Sequence, residues 1–409
     1  MKKEQIVKYS ILLPTYNKLE YLKYTIKSVL DSNYQNFELV ISNDFSTDGT
    51  EEYLSTLNDK RLKIIKPPIK LTQTKNYEFL LTFARGEWVT IIGDDDGLLP
   101  LFFEKLDKII EDFKDINLIH TKPSMYYWEN VDDWYGQRVC NYENFFEKAK
   151  IKNSKLSLIL ALSGLASRTE LPMIYTSGLV KMDLIKKIKS KSSNFFFHSI
   201  IPDYYSMVCL MYETDKYLKI NEPLFWVGTS RKSTGRGTKI YENHPVVEKY
   251  DFINNNLELS KNISPKLHMI GLPSIYFFEC ILKHPYIPQF WKNNLIKYLV
   301  FASSKILFYN LLKKYKYRIK IDISKENFET VLHQQLKKDN LNKFLFYLTK
   351  KFLLVCYLVK NIISNFIRIK KFISKKFFKK HVILVSKNRE KFKNFIECNN
   401  YLEDKLKKN

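Results

Sequence analysis

Three adjacent carboxylates, those of Asp94, Asp95 and Asp96, follow an apolar run at residues 88–92 and are flanked by glycines. Carboxylates packed this closely at the end of a buried strand repel one another and are costly to desolvate. A divalent cation such as Mg²⁺ or Mn²⁺ would offset that cost, because hard cations take oxygen ligands. The flanking glycines permit unusual backbone angles and let a ligand approach closely. The alternative interpretation is a solvated acidic turn, since carboxylates are mostly exposed.

The elements that must position these carboxylates alternate along the chain. Four apolar runs are typical of buried strands: residues 9–13, 37–41, 62–65 and 88–92. We expect Pro14 to end the first strand, and Asn17, with Glu20 three residues later, to cap the first helix. Apolar residues at helical spacing separate the strands. This alternation predicts an α/β fold with a mainly parallel sheet between helices.

Polar residues follow several of these predicted strands. Residues 14–16, Asp44 and the Asp triplet all fall at the carboxyl ends of strands. In open parallel sheets, ligands bind at those ends. Three separate loops are therefore expected to converge on one edge of the sheet and form one site.

Three segments carry a resemblance to a known family. They are Leu13-Pro14-Thr15-Tyr16-Asn17, a loop at residues 41–50 that contains Asn43-Asp44-Phe45, and Ala84-Arg85-Gly86-Glu87-Trp88 leading to Gly93-Asp94-Asp95-Asp96. In this order and separation they resemble the family 2 glycosyltransferases, which implies a GT-A fold. The resemblance covers residues 9–110 best, extends to about residue 240 and fades after that. Two departures are Asn43, where the family usually has a first Asp, and Phe45, where it usually has Gly or Asn.

The resemblance implies a site for a nucleotide-diphosphate sugar, with a UDP-sugar favoured. It assigns donor-nucleotide binding to Pro14, Thr15, Tyr16, Asn17, Asp44 and Asp94. Tyr16 would stack on the base, Asp44 would accept from a pyrimidine N–H, and Asp94 would lie near the ribose or the donor sugar. Asp95 and Asp96 would hold Mn²⁺ or Mg²⁺ between the two phosphates. Three adjacent Asp residues allow two registers of the D-x-D pattern, so the direct ligand stays open.

Asp203 is the candidate base for the acceptor hydroxyl. It follows an apolar stretch and Pro202, and family 2 enzymes carry their catalytic acidic residue at a comparable distance after the metal motif. A carboxylate beside the attacking hydroxyl acts as general base. We therefore predict a single displacement with inversion at the anomeric carbon. The alternative is a helix cap after Pro202, because Asp is a favoured cap residue.

A basic loop at residues 230–237 follows an aromatic strand. Its Arg231 and Arg236 are expected to close over the diphosphate and exclude water. Lys70 and Lys75 are further candidates for phosphate contact. The alternative is a solvated surface turn.

Composition limits the protein classes that remain. The chain has 409 residues, 45% of them hydrophobic, which suffices for two or three domains with a substantial core. Its five cysteines are far apart and form no CxxC pair, which predicts a reducing compartment. We expect no signal peptide and no transmembrane helix, because no suitably long apolar run occurs. The histidines lack metal-ligand spacing.

The net charge of +24 is concentrated in the last part of the chain, and residues 341–381 contain no acidic residue. Apolar and basic residues there alternate at helical spacing: Ile362, Phe366, Ile369, Ile373 and Phe377 against Arg368, Lys371, Lys375 and Lys379. Such a basic amphipathic helix is expected to lie in an anionic membrane interface. A helix packed on the protein's own core is the alternative. Nucleic-acid binding is not expected, because the front of the chain is nearly neutral and carries no recognition motif.

We therefore expect a GT-A domain at residues 1–240, a helical extension at 241–340 and a basic, membrane-associating tail at 341–409. The implied protein is a metal-dependent, inverting hexosyl- or N-acetylhexosaminyl-transferase of bacterial surface polysaccharide biosynthesis. It would be cytoplasmic, peripheral on the inner face of the cell membrane, with a glycan or lipid-linked acceptor. One rival is a glycoside hydrolase that uses Asp203 and one triplet Asp as its acid and base. The other is a non-catalytic GT-A-like assembly protein at the membrane, which the intact Asp44, triplet and Asp203 disfavour.

Overall fold

The computed structural model describes residues 7–129, 140–144, 149–199, 201–233, 262–263, 273–314, 325–377, 382–386 and 392–407. The first elements are β1 (Tyr9–Thr15), α1 (Leu19–Leu30), β2 (Phe37–Asn43), α2 (Thr50–Ser55), β3 (Leu62–Ile65), α3 (Gln73–Leu81), β4 (Trp88–Ile91), β5 (Gly97–Leu98) and α4 (Phe102–Asp112). Then come β6 (Leu118–Thr121), β7 (Ser124–Tyr127), β8 (Cys140–Asn144), β9 (Lys150–Asn153), α5 (Ser154–Leu162), β10 (Gly178–Lys181), α6 (Met182–Lys191), α7 (Pro202–Glu213), β11 (Lys216–Ile220) and β12 (Phe225–Thr229). The last elements are α8 (Pro273–Lys283), α9 (Asn294–Lys314), α10 (Lys325–Lys338), α11 (Lys343–Phe377), β13 (Val382–Ser386) and α12 (Phe395–Lys407).

An eight-stranded sheet with the order β3-β2-β1-β4-β10-β6-β11-β9 forms the centre of the fold. The pairs β3-β2, β2-β1, β1-β4 and β6-β11 are parallel. The pairs made by β10 and β9 are antiparallel. The predicted α/β fold with a mainly parallel sheet is therefore confirmed.

Successive residues of the central strands enter two different hydrophobic clusters. Leu12 and Val40 pack on one face of the sheet with apolar residues of α3, α5 and α7. Ile11 and Leu39 pack on the other face with residues of α1 and α4. Because helices cover both faces, these strands are buried on both faces and mostly apolar, as parallel strands usually are.

The prediction that Pro14 ends the first strand is wrong. Strand β1 continues to Thr15, with Pro14 opposite Ser42 of β2. The pairing of β1 with β4 ends at Leu12. Pro14 therefore lies where β1 has one neighbouring strand, and such a position tolerates the missing N–H of proline.

The predicted cap at Asn17 is also wrong. Asn17 has a φ of +52°, and Lys18 precedes the first residue of α1. A carboxylate oxygen of Asp48 accepts the backbone N–H of Leu19 at 2.9 Å, so a different loop satisfies the helix start. The amide oxygen of Asn17 instead accepts the N–H of Thr47 at 2.7 Å. The residue joins two loops at the edge of the sheet.

A second sheet with the order β13-β8-β7-β12-β5 links distant parts of the chain. Strand β12 pairs with β7 and with β5, which directly follows the Asp triplet. Near the other end of the chain, β13 pairs with β8. Residues 382–386 are thus joined by backbone hydrogen bonds to residues 140–144, more than 200 positions earlier in the sequence.

The C-terminal helices pack on the same core as the central sheet. One hydrophobic cluster includes residues from Leu12 of β1 to Leu353 of α11, which is 1% exposed. Helix α11 packs along α9. The domain boundaries near residues 240 and 340 stay a prediction. Within the described ranges, no helix combines the length and apolar character needed to cross a membrane.

Candidate active site

The Asp triplet forms a buried turn after β4. The N–H of Gly93 donates to Asp96 Oδ2 at 2.7 Å, and the N–H of Asp96 donates to the Gly93 carbonyl at 3.1 Å. The three aspartates are between 1% and 5% exposed. The interpretation as a solvated acidic turn is therefore wrong. Three carboxylates removed from water require compensating donors or cations.

Asp96 is held by donors from three parts of the chain. Its Oδ2 also accepts the hydroxyl of Thr176 at 2.6 Å, and its Oδ1 accepts the N–H of Gly228 at 2.8 Å. Burial and the neighbouring charge of Asp95 raise the pKa of Asp96 to about 7 despite these bonds. Thr176 itself has a φ of +24°, so the backbone beside the triplet is held in an unfavoured conformation.

Asp94 forms a buried ion pair. The ammonium of Lys18 lies 2.7 Å from its Oδ1, and the hydroxyl of Thr15 donates to its Oδ2 at 3.0 Å. Burial raises the pKa of Asp94, although the charge of Lys18 opposes that shift. Burial would lower the pKa of Lys18, but the charges of Asp94 and Asp95 outweigh it and raise the pKa. Lys18 is therefore a cation built into the site.

Asp95 connects the triplet to the loop after β12. The hydroxyls of Ser230 and Ser233 both donate to its Oδ2, the first at 2.6 Å. Trp128 Nε1 donates to its carbonyl oxygen at 2.9 Å. A Cβ at Gly228 would lie 1.6 Å from that carbonyl oxygen. Only glycine at this position lets the two backbones approach so closely.

The described part of the basic loop, residues 230–233, reaches the triplet through Ser230 and Ser233. Arg231 is exposed, and Arg236 lies outside the described residues. Lys232 is exposed as well, and its ammonium donates to the carbonyl of Asn17 at 3.1 Å. The described part of the loop thus bridges the triplet and the turn after β1.

Asp44 and Tyr16 lie at the same edge of the sheet as the triplet. Asp44 is 5% exposed, and its N–H donates to the carbonyl of Thr15 at 3.0 Å. Its Oδ1 accepts the N–H of Leu71 at 2.9 Å, and burial raises its pKa. The ammonium of Lys70 lies 4.0 Å from the centre of the Tyr16 ring and donates to its hydroxyl at 2.7 Å.

The other residues that were predicted to contact the nucleotide or the phosphates differ in their burial and in their hydrogen-bond partners. Pro14 is half-buried in β1, and Thr15 is bonded to Asp94. Asn17 is bonded to the loop after β2. Lys75 is exposed in the first turn of α3. The structure therefore brings together the residues from the ends of β1, β2 and β4.

Asp203 is the second residue of α7, and Pro202 is the first. The helix cap is Ile201, without a side-chain hydrogen bond, so the interpretation of Asp203 as a cap is wrong. Its half-buried carboxylate accepts the N–H of Tyr204 at 3.0 Å. Burial raises the pKa of Tyr77, and the charges of Asp203, Asp96 and Asp94 raise it further. Tyr77 thus lies within electrostatic reach of both Asp203 and the triplet.

Helix α3 fixes the segment that leads to Asp203. The carboxylate of Glu78 accepts the N–H groups of Phe196 and Phe197 at 2.8 and 3.0 Å and pairs with Lys189 at 2.6 Å. The ring of Tyr77, one residue before Glu78, stacks on that of Tyr175 at 5.8 Å. These contacts hold the two aromatic rings beside the triplet.

Several site residues were missed by the sequence analysis. Lys18, Thr176, Ser230 and Ser233 all contact carboxylates of the triplet. The two serines lie inside the loop that was predicted to bind through its arginines, and their hydroxyl groups are the local signal for a contact with a carboxylate. Lys18 directly follows the resemblance segment that ends at Asn17. Thr176 carries no local signal, because only the fold brings it to Asp96.

The donor set fits a divalent cation that also binds a ligand. Within the part of the chain that the structure describes, no group of three or more His, Cys, Asp or Glu side chains is arranged to hold a metal ion. Mg²⁺ is usually held by one or two carboxylates together with substrate phosphates and water. Asp95 and Asp96 provide two such carboxylates. The raised pKa of Asp96 indicates that added positive charge would stabilise the ionised triplet.

Comparisons with known proteins bear on this site. Residues 10–166 match the family model described as Glycosyl transferase family 2. Glycosyltransferase GlyA of Streptococcus pneumoniae is 28% identical over 162 residues, which cover 36% of this chain and 23% of that protein. The GalNAc(5)-diNAcBac-PP-undecaprenol beta-1,3-glucosyltransferase of Campylobacter jejuni is 34% identical over 95 residues, 22% of this chain and 31% of that protein. The chain thus spans less than a third of either relative's length. A crystal structure of S. aureus TarS 1–349 with UDP-GlcNAc gives a TM-score of 0.46 at 14% identity, covering 84% of this chain and 90% of that one.

Proposed function

We propose that this chain, whose residues 10–166 match the model of glycosyl transferase family 2, is a glycosyltransferase of that family and transfers a sugar from a nucleotide-diphosphate donor to a hydroxyl of a glycan or glycolipid. The donor is a UDP-sugar, the sugar is a hexose or an N-acetylhexosamine, and the product is a bacterial surface polysaccharide. The main observation that supports this proposal is that the buried Asp triplet lies at the same edge of the sheet as Asp44 and Tyr16. The Campylobacter relative, whose name gives a glucosyl group and an undecaprenol-linked acceptor, supports a lipid-linked acceptor.

The donor nucleotide binds at the ends of β1 and β2. Tyr16 stacks on the base, and Asp44, anchored by the N–H of Leu71, accepts the imide N–H of a pyrimidine. Asp94, bonded to Thr15, lies beside the ribose or the donor sugar. Pro14 and Asn17 shape the turn between these groups.

The leaving diphosphate is neutralised at the triplet. Asp95 and Asp96 would hold Mn²⁺ or Mg²⁺, which would supply positive charge to stabilise the leaving diphosphate. Lys18 lies 4.0 Å from Asp95 and contributes a second positive charge. We assign the outer phosphate contacts to Lys75, Arg231 and Arg236.

Asp203 deprotonates the acceptor. As the acceptor hydroxyl oxygen bonds to the anomeric carbon, its proton passes to the Asp203 carboxylate. The bond from that carbon to the diphosphate oxygen breaks on the opposite face, and its electron pair leaves with the diphosphate. A single displacement of this kind inverts the anomeric configuration. Tyr77 and Tyr175, stacked beside the triplet, limit water near the reacting carbon.

We also propose that α11 attaches the protein to the cytoplasmic face of the membrane. Its apolar side chains Phe352, Val355 and Leu358 are 59–64% exposed, whereas Leu353 is 1% exposed. Residues 341–381 contain no acidic side chain. Isolated exposed apolar residues are ordinary, but a continuous apolar face on a basic helix is typical of interfacial binding.

The donor site is tested by thermal shift with UDP, GDP, dTDP and CMP, each with and without Mn²⁺. A ligand at 100 times its dissociation constant stabilises the fold by about 2.7 kcal/mol. We expect UDP to shift the melting temperature only with Mn²⁺, and Asp95→Ala to abolish that shift. Asp112→Ala, at an exposed position of α4, is the matched control. No shift with any nucleotide would contradict the proposal.

A turnover assay distinguishes the proposed glycosyltransferase from a non-catalytic assembly protein and from a glycoside hydrolase. Product formation with UDP-sugars and lipid-linked glycans, followed by NMR of the new anomeric centre, should show inversion. Metal-dependent nucleotide binding without turnover of any donor and acceptor pair would favour the non-catalytic assembly protein. Sugar release without any nucleotide would favour a hydrolase.

A further inference from the structure

The C-terminal helix α12 packs against β5, the strand that directly follows the Asp triplet. A hydrophobic cluster, here called the C-terminal cluster, joins it to the N-terminal half: Tyr21, Leu99, Tyr126, Trp128, Trp226, Phe392, Phe395, Ile396, Cys398 and Leu402. Phe395 is fully buried. A Cβ at Gly97, the residue after the triplet, would lie 2.6 Å from the Phe395 ring. The helix therefore contacts the backbone directly behind the proposed donor site.

Trp128 connects this cluster to the carboxylates. The rings of Phe395 and Trp128 lie 5.4 Å apart in an edge-on arrangement, and Tyr21 of α1 contacts Trp128 from another element at 4.9 Å. Trp128 Nε1 donates to the backbone carbonyl of Asp95 at 2.9 Å. The position of the Asp95 backbone thus depends on a ring that α12 holds in place.

Asn399 makes a second connection, between α12 and two strands. Its Oδ1 accepts Trp226 Nε1 at 2.7 Å, and its Nδ2 donates to the carbonyl of Leu98 at 3.0 Å. Trp226 belongs to β12, which contains Gly228 and ends directly before Ser230, and Leu98 belongs to β5. The buried side-chain amide of Asn399 therefore links β12, which leads into the loop that contains Ser230 and Ser233, to β5, which follows the triplet.

We propose that α12 is a brace for the donor site, so that donor binding requires the helix to be docked. The proposal rests on the proposed function and names a structural element that controls that same site. Small displacements of catalytic groups cost orders of magnitude in rate, even when the cause lies away from the chemistry. Linkage makes the effect reciprocal: if docking of α12 favours donor binding, the donor stabilises the docked helix.

The test uses the full chain with two substitutions in the brace and one outside it. Phe395→Ala removes the contact with Trp128, and Asn399→Asp keeps the acceptor for Trp226 but loses the donor to Leu98. Glu403→Ala, at an exposed position of α12, is the matched control. Titration calorimetry with UDP and Mn²⁺ well below the melting temperature should show dissociation constants raised about tenfold or more for both brace variants. Phe395→Leu should restore part of the affinity.

Hydrogen exchange supplies a readout that simple packing would not change. We expect UDP with Mn²⁺ to slow amide exchange across residues 395–407 of the wild-type protein. Two results would overturn the brace proposal while leaving the proposed function intact. One is that the brace variants melt at a lower temperature yet bind UDP as tightly as the wild type. The other is that UDP with Mn²⁺ leaves amide exchange in α12 unchanged. A wild-type protein that binds no nucleotide would overturn the proposed function as well. The Asn399→Asp variant keeps the test valid if Phe395→Ala does not fold.

Discussion

The ammonium of Lys18 lies 2.7 Å from a carboxylate oxygen of Asp94 and 4.0 Å from one of Asp95. A lysine at the start of α1 thereby neutralises part of a charge cluster that follows β4. Buried like charges destabilise a fold unless a counter-charge accompanies them. The ion pair explains how the ligand-free chain holds three adjacent carboxylates away from water.

Lys18→Met should therefore destabilise the ligand-free protein. Breaking one partner of a buried pair costs about 3 kcal/mol or more, because an uncompensated charge remains. Urea unfolding at neutral pH measures the change, and added Mn²⁺ should recover part of the loss. Lys23→Met, at an exposed position of the same helix, should have little effect. Equal stability of the two variants would show that Lys18 is not the counter-charge.

Asp203→Asn should strongly slow turnover while the donor still binds. The amide cannot accept the acceptor proton, and general base catalysis contributes about 10²–10⁴-fold. Steady-state rates should fall by that factor, with the dissociation constant for UDP and Mn²⁺ unchanged. Asp215→Asn, at an exposed position after α7, is the control. Normal turnover by the Asp203 variant would remove this residue from the mechanism.

Gly228→Ala should destabilise the fold through a backbone collision. The added Cβ would lie 1.6 Å from the Asp95 carbonyl oxygen, and neither backbone can yield without disturbing the triplet. Gly49→Ala is the comparison, since its Cβ meets nothing closer than 3.4 Å but its φ is +84°. The strain at Gly49 should cost about 1–2 kcal/mol. Chemical unfolding should show a larger loss for Gly228→Ala, and an equal or smaller one would refute the close approach.

Substitutions at two adjacent residues of α11 should distinguish an effect on membrane binding from an effect on folding stability. Leu353→Ala removes a buried side chain and should cost about 2–5 kcal/mol of stability. Phe352→Ala removes an exposed one and should leave the melting temperature unchanged while weakening binding to vesicles that contain anionic lipid. Flotation with anionic and with neutral vesicles measures the binding. Undiminished flotation of the Phe352 variant would speak against contact through this face.

His284 should make stability depend on pH. Burial lowers its pKa to about 3, with the charge of His198 acting in the same direction, and neither ring nitrogen has a hydrogen-bond partner within the described part of the chain. An unfolded histidine binds its proton below about pH 6.5, so the unfolded state binds more protons than the folded state between those values. The contribution of His284 is therefore fully present above pH 6.5 and is lost as pH falls towards 3.

His284→Phe should reduce this slope by as much as about 1.4 kcal/mol per pH unit, the value for one proton. The phenyl ring keeps the stacking on Tyr205, which lies 5.4 Å away. Urea unfolding at several pH values between 3.5 and 7 measures the slope. His333→Phe on α10 is the comparison. An unchanged slope in the His284 variant would show that this histidine is protonated in the folded state.

The sequence determined the features that depend on local pattern. Largely apolar runs specified β1, β2, β3 and β4, because parallel strands that helices cover on both faces are mostly apolar. The order of strands and helices then placed Asp44 and the Asp triplet at one edge, since parallel strands align their carboxyl ends. The end of β1 was predicted wrongly at Pro14, because pairing with β2 extends the strand to Thr15. The cap of α1 was predicted wrongly at Asn17, because Asp48 from a distant loop accepts the N–H of Leu19.

Only the tertiary structure decided which groups surround the triplet. Thr176 and Ser230 reach Asp96 and Asp95 from elements that are distant in the sequence, and Phe395 comes from the last helix. No local periodicity encodes such contacts, because they arise where separate elements meet and where buried charges must find donors. The sequence thus determined the edge and its carboxylates, and the packing of remote elements decided their counter-charges, hydrogen bonds and support.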